Sequence, residues 1–112
     1  MTISTHVLDT SIGRPAIDVA VILYRHDGTD WNPIGRGFTD GDGRIRTLLD
    51  GETPLTVGVY RVVFELAPYF SAHRVESFYG QITVEFSVRD SSVHYHVPLL
   101  VSPYGYSTYR GS

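Results

Sequence analysis

Apolar and polar side chains alternate along much of this chain, and the apolar ones almost never recur at the three-to-four spacing of an amphipathic helix. The segment from Val93 to Val101 is the plainest instance, with Val93, Tyr95, Val97, Leu99 and Val101 in one row and His94, His96, Pro98 and Leu100 in the other. The same period of two, broken by turn residues, predicts strands at Ile3 to Asp9, Asp18 to His26, Asn32 to Phe38, Ile45 to Leu48, Gly58 to Leu66, Ile82 to Arg89, Val93 to Val101 and Tyr104 to Arg110. Gly13-Arg14-Pro15, Asp27-Gly28-Thr29-Asp30, Asp40-Gly41-Asp42-Gly43, Asp50 to Pro54, Asp90-Ser91-Ser92 and Ser102-Pro103 supply the turns. A single short helix is predicted at Pro68 to His73, with proline early, where its missing N–H costs little. So many strands in so short a chain are best satisfied by an all-β sandwich of two stacked antiparallel sheets sharing one core.

With 112 residues, 42% of them hydrophobic and 19% charged, the chain is the size and composition of one globular domain, residues 1–112, with no room for a second. A net charge of -3 offers no basic excess to neutralise phosphates or hold an anionic membrane, so neither nucleic acid nor membrane is an expected partner. Cysteine is absent, which excludes disulfides, thiolate metal sites and cysteine nucleophiles. The start of the chain lacks the basic and then apolar regions of a signal peptide, so the cytoplasm is the default expectation, or the periplasm if a leader once preceded it. A sandwich also leaves strand edges to be shielded, and a small protein without disulfides gains by burying them against another copy, so a homo-oligomer is expected.

Alternation places His94 and His96 on the face turned away from the core, and in the first strand Ser4, His6 and Leu8 likewise oppose Ile3, Thr5 and Val7. Leucine beside histidine suits a face that another subunit covers better than one open to water. Three readings of His6, His94 and His96 stand side by side: interfacial residues without chemistry, a zinc triad built on His-x-His, and general acid–base catalysis by neutral imidazole. Arg44 and Arg46 share a side of their strand; exposed charge is the plain reading, and paired hydrogen bonds to a planar, carbonyl-rich ligand the functional one. Asp40 to Gly43 resembles the opening of a calcium loop, but residue 51, where the loop needs a carboxylate, is glycine, so it reads as a turn. No glycine-rich phosphate loop and no Gly-x-Ser-x-Gly elbow occurs.

Taken together, Ser4 to Thr10, Gly13 to Ala16, Thr39-Asp40 to Gly43-Arg44, His94 to Thr108 and the terminal Tyr109-Arg110-Gly111-Ser112 resemble the 5-hydroxyisourate hydrolases, the enzyme branch of the transthyretin-like family. The likeness spans nearly the whole chain, and the terminal tetrapeptide is its most specific part, because transthyretin itself, a hormone carrier, lacks it. The resemblance implies a prealbumin-like sandwich of two four-stranded sheets with one short helix, assembled as a homotetramer with its sites at the dimer–dimer interface of a central channel. It further implies a small-molecule substrate, 5-hydroxyisourate, opened hydrolytically to 2-oxo-4-hydroxy-4-carboxy-5-ureidoimidazoline in urate degradation, with no cofactor and no metal. The family's catalytic and substrate-binding residues fall on His6, Arg44, His96, Tyr109, Arg110, Gly111 and Ser112; His94 and Arg46 lie beside them without an assigned role. A non-catalytic carrier of a small aromatic ligand in the same channel is the alternative. A purely structural sandwich module is the third class, and it predicts that losing the last four residues is harmless.

Overall fold

Strands form where side chains alternate: in the computed structural model, which describes residues 1–112, β1 covers Ile3–Asp9, β2 Arg14–Pro15, β3 Ala20–His26, β4 Trp31–Phe38, β5 Arg44–Ile45, β6 Gly58–Glu65, β7 Gln81–Val88, β8 Tyr95–Ser102 and β9 Gly105–Thr108. One sheet has the order β4-β3-β6-β7 and the other β2-β1-β8-β9, with β5 added against β1. The inner faces meet in one core: Ile3, Val7, Leu99 and Val101 from the second sheet pack with Val21, Leu23, Val62 and Phe64 from the first, all essentially inaccessible to water. A buried apolar side chain contributes about 1.5–3 kcal/mol, and this shared layer is what holds the two sheets face to face.

The helix α1 runs from Leu66–Ala72, starting two residues before the predicted Pro68. Leu66, Tyr69 and Phe70, at the spacing of one helical face, are buried against the sandwich, and that stripe, too short to stand out in the sequence, sets its position. Its end is a Schellman closure: Arg74 takes a left-handed φ of 57°, its N–H reaches the Ser71 carbonyl, and the Val75 N–H reaches that of Phe70. Tyr69 also donates its hydroxyl to the buried Asp9 carboxylate at 2.8 Å. Burial, with the hydrogen bond to Asp9 and its charge, pushes the Tyr69 phenol well above its usual range, so this tether stays protonated at any physiological pH.

The expected two four-stranded antiparallel sheets are present with additions. The second sheet holds five strands because Arg14–Pro15, read as a turn, pairs briefly with Leu8 and Asp9. Its central ladder, β1 beside β8, is parallel, since the two strands come from opposite ends of the chain and no tight turn dictates their direction. The predicted strand Ile45 to Leu48 shortens to β5, because beyond Ile45 the chain leaves the sheet and crosses the open side of the sandwich. There Leu48 N–H binds the Ile3 carbonyl and Asp50 N–H the Ile34 carbonyl, one bond to each sheet. β3 begins at Ala20 because Asp18 adopts a left-handed φ of 61°, which ends the extended run. The Asp40 to Gly43 segment is the tight turn it was read as: Asp40 Oδ1 accepts the N–H groups of Asp42 and Arg44 at 2.9 and 3.0 Å. Those two hydrogen bonds hold the Asp40 carboxyl below its usual value.

Candidate active site

The parallel ladder sets the site. Ser4 lies opposite His96 and His6 opposite Pro98, while on the other edge of β1 His6 lies opposite Arg44. Alternation therefore gathers Ser4, His6, His96 and Arg44 on the outer face of the second sheet, away from the core, as the sequence pattern indicates. They border a hollow of about 300 Å³ whose wall includes Ser4, Arg44, Arg46, His94, His96 and Ser112. Ile45 is its one hydrophobic lining residue, so the hollow is built for a polar ligand. His6 does not line it directly; it pairs with Arg44 across the ladder and lies close enough to His96 to help lower that ring's proton affinity.

His96 is the half-buried centre of this arrangement. Burial, then the charge of Arg44 and the electrostatic influence of the neighbouring His6 and His94, hold its pKa below the ordinary 6.5, against a hydrogen bond to the Ser4 backbone that works in the opposite direction. It is therefore a neutral imidazole at neutral pH, able to accept a proton. Its Nδ1 lies 2.7 Å from Ser4 Oγ, and the same oxygen lies 2.8 Å from His94 Nε2. His94 and Arg46, which the sequence left without a role, thus both belong to the hollow. Ser4 was placed on the correct face but not singled out; its signal was a register position, and register with a strand more than ninety residues away is not written in either segment alone.

The last residues fold back over β8 and do not fray. Gly111 N–H binds the His96 carbonyl at 2.9 Å, forming an isolated bridge between the two residues. A side chain at Gly111 would put its Cβ 2.4 Å from His96 Cδ2 and 3.1 Å from Pro98 Cγ, so only glycine lets the tail pass this close to the imidazole. Ser112 is thereby delivered to the hollow. Tyr109 and Arg110 are not: they line a smaller cavity of about 160 Å³ on the other side of the tail, between Phe86 of β7 and Tyr95 and Val97 of β8. The Arg110 guanidinium sits 4.7 Å over the Tyr95 ring, a cation–π contact that anchors the tail. No three His, Asp or Glu side chains converge closely enough to ligate a metal ion.

Residues 3–111 match the model of the HIUase/Transthyretin family. A probable 5-hydroxyisourate hydrolase of Caenorhabditis elegans is 49% identical over 111 residues, covering 99% of this chain and 82% of the relative. The chain belongs to the HIUase/Transthyretin family. The 5-hydroxyisourate hydrolase of Salmonella dublin is 44% identical over 110 residues, 98% of this chain and 80% of its own. Among solved structures, Klebsiella pneumoniae 5-hydroxyisourate hydrolase superposes with a TM-score of 0.86 at 38% identity, each chain covered completely. The sandwich with its one short helix is thus the fold of a HIUase/Transthyretin family member.

Proposed function

We propose that this protein is a 5-hydroxyisourate hydrolase, opening the ring of its small-molecule substrate to 2-oxo-4-hydroxy-4-carboxy-5-ureidoimidazoline in urate degradation. The observation that carries the reading is the convergence of a neutral, half-buried imidazole, an arginine and the chain's last serine on one polar hollow. A water held in the hollow gives a proton to His96 as its oxygen attacks the ring carbonyl. Arg44 binds the polar ring and stabilises the oxyanion that develops, with Arg46 adding positive potential from the same strand end. Ser112 closes the hollow and offers a further hydrogen bond, and the tail residues Tyr109, Arg110 and Gly111 hold it there. No metal or cofactor is needed for this chemistry.

A carrier of aromatic ligands would want the mostly apolar wall typical of small-molecule pockets, and this hollow has the opposite lining. The test is the decay of 5-hydroxyisourate generated in place by urate oxidation, followed spectroscopically with and without the protein, with the product examined for an enantiomeric excess. Losing the base through His96→Asn should lower the enzymatic rate on the order of 10²–10⁴-fold. Arg44→Ala should cost about 10²–10³-fold. Folded variants that both retain the unaltered rate would sink the assignment. Removing Tyr109 to Ser112 should abolish turnover while the far-ultraviolet spectrum of the sandwich persists.

The homotetramer is part of the same proposal. Pro98 is buried and Leu100 half-buried on the outer face that carries the site, and that face suits a partner subunit completing the walls of an otherwise open hollow.

A further inference from the structure

We propose that Ser4 joins His94 and His96 into a two-histidine proton relay, in which His96 takes the proton from the attacking water and His94 carries the resulting positive charge at the solvent-exposed end. The proposal rests on the hydrolase reading above and extends it from one base to three linked groups. Its basis is geometric. Ser4 Oγ stands 2.8 Å from His94 Nε2 and 2.7 Å from His96 Nδ1, both normal hydrogen-bond distances, and Ser4 is itself buried.

A serine hydroxyl has one proton to give, so it donates to one ring and accepts from the other, and the two tautomers are locked together. When Ser4 donates to His94 Nε2 it accepts from His96 Nδ1–H, and the unpartnered His96 Nε2 is then a lone pair, which is the basic form. Proton transfer from water to that Nε2 frees the Nδ1 proton to pass to Ser4 Oγ. The Ser4 proton passes in turn to His94 Nε2, leaving His96 neutral and His94 an imidazolium. The hydroxide bonds to the ring carbonyl carbon, so one negative charge on the substrate oxygen balances one positive charge on His94. As that oxyanion re-forms the carbonyl and the ring C–N bond breaks, His96 Nε2–H gives its proton to the leaving nitrogen. The relay then runs backward, restoring both neutral rings.

Position explains why the charge moves outward. His96 is half-buried beside Arg44 and His6, with Arg46 on the same wall, so a cation there is opposed by burial and by like charges. His94 precedes the first residue of β8 and is exposed, so its cation keeps its water. In the relay His96 alone takes the proton from the attacking water; Ser4 and His94 act through it and are positioning residues.

The experiment compares the native protein with Ser4→Ala, Ser4→Thr and His94→Gln on freshly generated 5-hydroxyisourate. Ser4→Ala and His94→Gln should each lower kcat by roughly tenfold to a hundredfold, short of removing the base itself, with KM little changed. Ser4→Thr, which keeps the hydroxyl, should recover most of the loss. A proton inventory in H2O/D2O mixtures should be curved for the native protein and linear for Ser4→Ala. His94 is exposed, so His94→Gln keeps the test clear of folding defects. Unchanged kcat in both Ser4→Ala and His94→Gln, or a linear inventory in the native protein, overturns the relay. A native protein that fails to accelerate 5-hydroxyisourate decay overturns the hydrolase reading instead. In that event nitrogen-15 histidine spectra still test the bridge, since locked tautomers must redistribute in Ser4→Ala, and identical spectra refute the coupling.

Discussion

His96 shows how much one side chain can depend on its neighbours. Its proton affinity is lowered first by burial and then by Arg44, His6 and His94, so Arg44→Ala should raise its pKa. A titration of the His96 ring proton by NMR checks the direction; a fall, or no change, would mean that the Arg44 charge is not felt. The same depression has a stability consequence. Unfolded His96 binds its proton more readily than folded His96, so its contribution is complete above pH ~6.5 and is lost as the pH falls toward the folded value. Gly111 is the other decisive residue. Gly111→Ala places a methyl against the His96 ring and Pro98, and a displacement of about an ångström at a reacting group can cost 10²-fold in rate. Because the tail lies outside the core, thermal melting should barely move while kcat falls by about that factor; an active variant would show that the tail's approach is dispensable. His6, Arg44 and His96 were legible by residue type, and the two histidines by face as well, whereas Ser4 was legible by face alone, because what distinguishes it is its two contacts with His94 and His96.

At the scale of the element, the alternation of β1 and β8 was readable in full, and both strands end within a residue or two of expectation. What the pattern could not reveal was the segment after β5, where apolar residues continue but the chain changes sheets. The reason is a close approach: an added Cβ at Gly35 of β4 would lie 1.5 Å from the Leu48 carbonyl oxygen. Gly35→Ala therefore cannot be accommodated by a rotamer change, and backbone on both sides must shift. The overpacking cost should be ~3 kcal/mol or more, read as a large drop in the urea midpoint or as insoluble expression. A variant as stable as the native protein would show that the crossover is free to move. The short helix follows the same logic, since its limits come from where Leu66, Tyr69 and Phe70 reach the core and from the Arg74 closure.

For the whole molecule, the sheet that carries the site presents imidazoles, arginines and aliphatic residues outward together. A lone subunit leaves the hollow open on that side, and Tyr109 and Arg110 face a different cavity. Light scattering coupled to size exclusion should report a species of four times 12.5 kDa. A substitution such as Leu100→Glu should dissociate it, and a monomer with undiminished activity would refute the interfacial site.

Period-two patterning determined the class of fold, the inward and outward rows of each strand, and which histidines and arginines stand off the core, because side-chain direction in a strand is a local property of the backbone. The likeness of its motifs to the hydrolase family supplied a function for those residues. Only the tertiary structure decided that the first and eighth strands lie parallel, that Ser4 meets two imidazoles, and that the tail threads past His96 at Gly111. Each of those depends on register between segments far apart in sequence, and register is fixed by packing of the whole core rather than by any stretch of chain.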